Sequence, residues 1–497
     1  MSAPAPVFSG GSRSISADAV AALLGEWAGR GAAYQQLALG LRHLLLDGRL
    51  ALGVRLPGER ELAARLGLSR TTVTAAYLRL RDEGFLTTRR GSGSLTSLPV
   101  GAALPGVPLP FEPASGMSSE TGRLLDLAYA TLPAPEGLHR AYTAALQALP
   151  AYLPGHGYAP AGLPALRQII AERYTRRGLP TDAEQIVVTF GAQHALGLLV
   201  RVLSAPGERV VVDHPTYLHA LDTFRAASCQ IVPVALGTGG WDLPALRTAL
   251  RQTAPRFVYL IPDFHNPTGL CMSPVQRRGV VEAADEGRTP VIVDEVLSDL
   301  ALDGPVPLPL AGYALHAPII SIGSLSKSFW GGLRLGWIRA PRALALQVMA
   351  ARTASDLGAP IVEQLTAAHL LADAESLLLQ RRATLKRQRA ALQTALGQHL
   401  LEWHFTVPEG GLSLWARLPQ PISSALAASS ERFGVRVIAG PRFGVGGQFE
   451  RHLRLPFTLP EAEIGEAIRR LSRAAQAVSA RPQGKAASEM GGLLSGV

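Results

Sequence analysis

The stretch SIGSLSKSFWGGLRLGW, residues 321–337, decides how this chain is read. An apolar run, PIISIGS (318–324), leads into Ser324, Ser326 and Ser328 around a single lysine, Lys327, with Arg334 seven residues further on. Lysine is scarce in this chain and arginine abundant. A lysine acts as a nucleophile only after its amine has shed a proton, and its unperturbed pKa is about 10.4. Burial near other cations lowers that value and permits a Schiff base with an aldehyde. Pyridoxal phosphate is the cofactor most associated with that link. It also needs a carboxylate for its pyridinium nitrogen and a cradle for its phosphate. Ser324, Ser326 and Arg334 offer the cradle hydroxyls and a forked cation.

The other requirements lie upstream. TPVIVDE (289–295) reads as a strand carrying Asp294 at its C-terminal end, where α/β folds place ligands. TFGAQHALGLL (189–199) sets Gly191, Ala192 and Gln193 where a strand turns into a helix, so free N–H groups and the helix dipole favour an anion. Asn266 in PDFHNPTG (262–269) is placed to hydrogen-bond the ring's phenolic oxygen, and Tyr217 in DHPTY offers a flat face for stacking. Each signal is weak alone. Asn-Pro-Thr-Gly is more often only a turn, and a lone Asp294 would be an ordinary strand-end aspartate.

These motifs sit in a long alternation of apolar strands and amphipathic helices from about 120 to 475, an α/β pattern. The strand runs are QIVVTF (185–190), RVVVDH (209–214), RFVYLIPD (256–263), TPVIVDE and PIISIGS. At 497 residues the chain suits two or three domains, and 47% hydrophobic with 17% charged residues is a globular balance. Residues 99–119, rich in Pro, Gly, Ala and Ser, read as a linker, and the tail 476–497 reads as disordered. No uninterrupted apolar segment reaches the length of a membrane span, and the N-terminus lacks the features of a secretory signal. Cys229 and Cys271 form neither a disulfide framework nor a metal-ligand spacing. A cytoplasmic chain without a metal site is the expectation.

The formal charge of +10 is uneven: residues 1–98 hold twelve arginines against seven acids. A basic region is drawn to phosphate, although a genome favouring arginine produces the same excess. Within LPGERELAARLGLSRTTVTAAYLRLRDEGFLTTRRGSGS (56–94), Leu62, Ala63 and Leu66 have helical spacing and Gly67 ends that helix. Ser69 is a good N-cap for a second helix that gathers Val73, Ala76, Tyr77 and Leu80 on one face. Two such helices form a helix-turn-helix, whose second helix presents its first residues to the major groove. Those residues are Ser69, Arg70, Thr71 and Thr72. FLTTRRGSGSLT then reads as two short strands whose tip is a wing with Arg89 and Arg90 for the phosphate backbone. The alternative is a helical hairpin with merely solvated arginines.

Residues 34–98 resemble the winged helix-turn-helix of the GntR regulators, carrying LP-x-ER-x-LA, LG-x-SR-x-TV and LRDEGFL in order. The resemblance implies DNA contacts by Arg60, Arg70 and Thr72, with Gly91 at the wing. Gly58 stands where the family usually has serine, which softens a helix cap. Residues 120–475 resemble the fold type I pyridoxal-phosphate aminotransferases through GAQ-x-AL, HNPTG, Asp294, S-x-SK and R-x-G. This implies a large domain with a mostly parallel sheet and a smaller C-terminal α/β part. It also implies a Schiff base on Lys327, a pyridinium partner in Asp294, phosphate binding by Arg334 and a carboxylate on Arg454 of HLRLPF. An arginine on a late strand otherwise reads as a surface residue.

Two departures stand out. Val296 and Leu297 follow the strand-end aspartate where many relatives place a tyrosine against the ring hydroxyl, and Phe190 precedes Gly191 where a small or hydroxyl residue is common. Together the two domains resemble the MocR/PdxR group. That implies a homodimeric regulator that binds double-stranded operator DNA and senses pyridoxal phosphate or an amine effector. The competing expectation is a working aminotransferase with an appended DNA-binding module. A third, a fold relic without cofactor, is disfavoured by the joint presence of Lys327, Asp294, Asn266 and Arg334.

Overall fold

The computed structural model describes residues 14–25, 31–46, 49–89, 93–97, 124–237 and 239–480. Packing separates two units, one drawn from Met1–Ser115 and Ala134–Ala148, the other from Gly116–Pro133 and Leu149–Val497.

In the first unit, helices α1 (Ala17–Leu24), α2 (Ala33–Leu46), α3 (Glu59–Leu66) and α4 (Arg70–Asp82) precede strands β1 (Leu86–Arg89) and β2 (Gly93–Thr96). The helical periodicity becomes burial: Leu37, Leu41, Leu62, Val73, Tyr77 and Leu80 form the core. The buried Tyr77 hydroxyl donates to the Pro57 carbonyl at 3.0 Å, as a phenol removed from water must. Gly67 ends α3 in the left-handed region (φ 68), and the Ser69 hydroxyl caps α4 by accepting the Thr72 N–H at 3.1 Å. At α3 the cap is Gly58, with no side-chain hydrogen bond. The helix-turn-helix is therefore formed, and β1 pairs antiparallel with β2 from Leu86↔Thr96 to Arg89↔Gly93 as the expected wing. Arg90 and Gly91 at its tip, and the linker 99–119, lie outside the described residues.

The boundaries differ from the sequence reading at three points. Helix α1, capped by Ser16 and with Val20 fully buried, joins this unit ahead of residue 34. Helix α5 (Leu138–Ala148), assigned from sequence to the large domain, packs in this unit too, with the His43 and His139 rings 5.4 Å apart. Periodicity reveals that a helix has a face to bury but not what covers it. At the other end of the chain, the last helix runs to Ser479, past residue 475; residues 481–497 of the tail lie outside the described residues.

The second unit begins with β3 (Leu125–Asp126), α6 (Pro164–Arg176), β4 (Ile186–Thr189), α7 (Ala192–Leu203), β5 (Arg209–His214) and α8 (Leu218–Ala226). There follow β6 (Gln230–Gly237), β7 (Gly240–Trp241), α9 (Leu243–Thr253), β8 (Phe257–Leu260), α10 (Pro274–Glu286), β9 (Val291–Asp294), β10 (Ile319–Ser324) and β11 (Gly336–Arg339). All five apolar runs read as strands are strands, and they are almost wholly buried because helices cover such sheets. They join one sheet in the order β4-β11-β10-β9-β8-β5-β6-β7. β6, β5, β8, β9 and β10 are mutually parallel, while β11 and β7 are antiparallel to their neighbours. The fold is α/β and mostly parallel, so the C-terminal ends of β4, β5, β8, β9 and β10 open on one side.

Helices α11 (Arg342–Arg352), α12 (Ile361–Ala372) and α13 (Ala374–His399) lead into the smaller C-terminal α/β part. Its elements are β12 (Ser413–Arg417), α14 (Ser423–Ser430), β13 (Val435–Arg436), β14 (Ile438–Ala439), β15 (His452–Pro456) and α15 (Glu461–Ser479). β12, β15 and β14 form an antiparallel sheet, and β13 pairs with β3, which docks the 124–133 segment on this part. Among the described residues no helix is long and apolar enough to cross a membrane.

Candidate functional site

The strand ends of the large sheet deliver their residues to one cavity. Lys327 follows β10, and its Nζ donates to the Ala130 carbonyl at 2.9 Å. Desolvation, then the nearby Arg454 charge, lower its amine to about 8; Asp294 opposes them and Arg334 assists. A useful fraction of neutral amine therefore exists near physiological pH. Asp294 ends β9. Its Oδ2 accepts the Tyr259 hydroxyl at 2.9 Å and its Oδ1 accepts the Val296 N–H at 3.0 Å. Burial raises this carboxyl above its usual range, while the two donors and Lys327 pull it back. Tyr259, on the neighbouring strand β8, was absent from the sequence reading. A tyrosine inside an apolar strand signals that its hydroxyl needs a partner, but only the sheet order supplies Asp294 as that partner.

An anion cradle faces them. Gly191 precedes α7 at φ 87 and provides no side-chain cap, so the first N–H groups of that helix, at Ala192 and Gln193, remain available. A Cβ on Gly191 would stand 3.2 Å from Arg334 Nη2. Arg334 holds only long contacts, 3.4 Å each, to the Gly331 and Phe190 carbonyls, and among the described residues no carboxylate pairs with it. The Ser324 hydroxyl oxygen lies 3.0 Å from Ser326 Oγ and accepts the Ser326 N–H at 3.1 Å. Gln193 reaches the cradle by its backbone, because its side-chain amide donates to the His219 carbonyl at 3.2 Å and the Thr223 hydroxyl at 2.6 Å on α8.

Tyr217 lines the cavity at the start of α8; burial and the Asp294 charge push its phenol up to about 12. Asn266, in the turn after β8, accepts from Arg454 Nη1 at 3.3 Å. Arg454 is on β15 and only 5% exposed, which removes the surface reading. It donates to the Ala128 carbonyl and stands 5.1 Å over the Phe443 ring, with its Nε buried and unpartnered. Desolvation lowers its guanidinium to about 10. No carboxylate pairs with it among the described residues, and a buried cation left so is costly unless an anion arrives.

Of the two departures, Phe190 stays out of the cavity: its ring packs on His194 at 5.2 Å and its N–H donates to His194 Nδ1 at 3.1 Å. Val296 and Leu297 do line the cavity, so its wall is apolar at the position where a tyrosine is common. A condensable amine, a carboxylate held by two donors, a helix N-terminus with an unpaired arginine, and a flat phenol fit pyridoxal phosphate.

In the first unit, Arg60, Ser69, Arg70 and Thr71 are exposed and Thr72 is half-buried. The Ser69 hydroxyl, which caps α4, also lies 2.7 Å from Thr71 Oγ1 and 2.8 Å from Thr72 Oγ1, so it organises the two threonines. Arg70 Nε lies 3.6 Å from Glu59 Oε2 with much of its side chain in solvent. An exposed arginine and hydroxyls at the start of α4 suit phosphate and base edges.

Comparisons with known proteins also fall into two parts, although the aminotransferase match takes in helix α5, which packs with the first unit. Residues 136–471 match the family described as aminotransferase class I and II, and residues 33–95 match the bacterial regulatory proteins of the gntR family. The 2-aminoadipate transaminase of Thermus thermophilus is 32% identical over 331 residues, 65% of this chain and 81% of that protein. The HTH-type transcriptional regulator YdeF of Bacillus subtilis is 30% identical over 453 residues, 88% of this chain and 93% of its own length. Among solved structures, LysN, the alpha-aminoadipate aminotransferase of Thermus thermophilus complexed with N-(5'-phosphopyridoxyl)-L-leucine, superposes with a TM-score of 0.66. It shares 31% identity and covers 72% of this chain and 93% of its own.

Proposed function

Because the chain belongs to the class I and II aminotransferase family and joins to it a gntR-type DNA-binding domain, as MocR/PdxR-type regulators do, we propose a transcription regulator that holds pyridoxal phosphate and reads an amine. When bound, the cofactor supplies an aldehyde that condenses with an amine and a ring that withdraws electrons. Lys327 Nζ is the amine that meets the aldehyde. Asp294, held by Tyr259 and the Val296 N–H, would pair with the ring nitrogen, Asn266 with the ring hydroxyl, and Tyr217 would stack on the ring. The N–H groups of Ala192 and Gln193, the hydroxyls of Ser324 and Ser326, and Arg334 hold the phosphate. Arg454 takes the carboxylate of the effector.

One observation carries the signalling role. Two of the three cations that line the cavity are held by carbonyls of one short segment, Lys327 by Ala130 and Arg454 by Ala128. An effector carboxylate on Arg454 competes with the Ala128 carbonyl, so ligand binding loosens the segment's hold. In sequence that segment follows directly on the stretch joining the two units. Ser69, Arg70, Thr71, Thr72 and Arg60 contact the operator, with Arg89, Arg90 and Gly91 contributing from the wing. A homodimer in the cytoplasm reads two half-sites. An aminotransferase with an appended module would keep the same cavity but has no use for an exposed recognition helix.

The test is spectroscopic. The chain loaded with pyridoxal phosphate absorbs in the near-visible, and borohydride fixes the cofactor covalently; Lys327→Ala abolishes fixation. Amine additions that change the band also change operator affinity. A wild-type chain that takes up no cofactor at saturation sinks this reading, and rapid turnover of amino donors with keto acids replaces it with the enzyme.

A further inference from the structure

We infer that Arg381 is a positioning residue that relays occupancy of the Lys327 site to the chain entering the first unit, an inference that rests on the proposed function and deepens it. Arg381 lies on α13, and its Nη2 donates to two carbonyls at once, that of Phe329 at 2.6 Å and that of Pro133. Phe329 stands two residues beyond Lys327 with its side chain fully buried, so its carbonyl belongs to the loop that carries the amine. Pro133 is the last residue of the second unit before the chain passes, at Ala134, into the first. One guanidinium thus ties the Lys327 loop to the point where the chain leaves for α5.

Pro133 closes a segment that cations of the same unit hold along its length. Arg436 Nη1 lies 3.4 Å from Asp126 Oδ2, Arg454 donates to the Ala128 carbonyl, and Lys327 donates to the Ala130 carbonyl. Arg454 and Lys327 line the cavity, so both exchange these carbonyls for ligand atoms when the site fills. Arg381 lies outside the described lining and its two bonds are not traded. As the loop around Lys327 adjusts, the Phe329 carbonyl moves with it and Arg381 carries the displacement to Pro133. Beyond that point LPAP (132–135) holds two prolines whose rings fix φ, so the stretch into α5 passes a displacement on rather than absorbing it. Stability does not account for this arginine. Desolvation lowers its guanidinium to about 10, both acceptors of Nη2 are neutral carbonyls, and its Nε is buried without a hydrogen-bond partner among the described residues. A cation so placed bears a desolvation cost that an apolar side chain of similar length avoids.

Hydrogen exchange over residues 134–148 of the full chain is measured with and without pyridoxal phosphate, beside uptake read from the near-visible band and stability read by calorimetry. In the wild type, loading is expected to change exchange of the α5 amides by about fivefold or more, the scale of an ordinary coupling between sites. Arg381→Met is expected to keep uptake within about twofold and to keep the wild-type thermal midpoint, because its stem still packs. In that variant α5 exchange no longer responds to loading. Arg381→Gln is expected to give the same readings where Arg381→Met does not fold. An α5 that answers the cofactor in these variants as it does in the wild type overturns the inference, and so does a wild-type α5 blind to the cofactor. Both results leave the regulator reading intact, since the band reports uptake independently. Loss of uptake or of folding in both variants makes Arg381 a support of the fold and also overturns the inference. A wild-type chain without a cofactor band fails the proposed function first, and the inference falls with it.

Discussion

Lys327 is a lysine whose surroundings have done half of its chemistry in advance. Burial first and Arg454 second bring the amine to about 8, because both disfavour the charged form. A depressed lysine is protonated below its folded value and neutral above it. The rate at which excess pyridoxal phosphate is captured should therefore climb about tenfold per pH unit up to about 8 and then level off. Stopped-flow absorbance across that range checks it, and a climb that continues past about 10 would mean an ordinary solvated lysine. The same shift raises the stability of the cofactor-free chain as pH rises from about 8 toward the unfolded value, since the unfolded chain binds the extra proton there. Lys327, Asp294 and Arg334 could be read as candidates because their chemistry travels with the side chain, and Arg454 only through the resemblance to the aminotransferases. Tyr259 and the Ala128 and Ala130 carbonyls were not: a backbone acceptor has no letter, and a tyrosine's partner depends on which strand lies beside it.

At the level of elements, the turn from β4 into α7 shows how backbone geometry makes an anion site. Gly191 sits at φ 87, where a side chain is strained, and a Cβ there would press on Arg334 Nη2 at 3.2 Å. Gly191→Ala is expected to cost about 1–3 kcal/mol of stability and to weaken cofactor uptake about tenfold or more. Calorimetry reads the first and fluorescence titration the second; unchanged uptake would move the phosphate elsewhere. The strand runs and the paired helices of the first unit were legible because period and capping are local. Helix α5 falls within the aminotransferase match, as the sequence reading had it, but its packing with the first unit was not legible, because an apolar face of the same strength fits either unit.

On the scale of the whole molecule, the two units carry separable roles. Arg70→Ala should weaken operator binding, flatten its salt dependence by about one ion and leave the cofactor spectrum unchanged. Loss of both in gel-shift and absorbance measurements would mean that the units do not fold independently. The sequence by itself determined a helix-turn-helix, an α/β alternation after it and the chemical types of the candidate residues, because hydrophobic period, turn residues and titratable side chains are properties of short stretches; the mostly parallel sheet was expected only through the resemblance. Only the tertiary structure decided that Arg454 is buried with no carboxylate paired to it among the described residues, that Gln193 turns its amide away, and that Leu297 and Leu412 both line the cavity. Those facts depend on strand order, on the packing of α7 against α8 and on the docking of the C-terminal part, which bring together residues from 30 positions apart, as for Gln193 and Thr223, to 326, as for Arg454 and Ala128. The same holds for the stretch around Lys327. Its letters name an amine, hydroxyls and a guanidinium, and desolvation beside Arg454, which no local pattern encodes, lowers that amine to about 8.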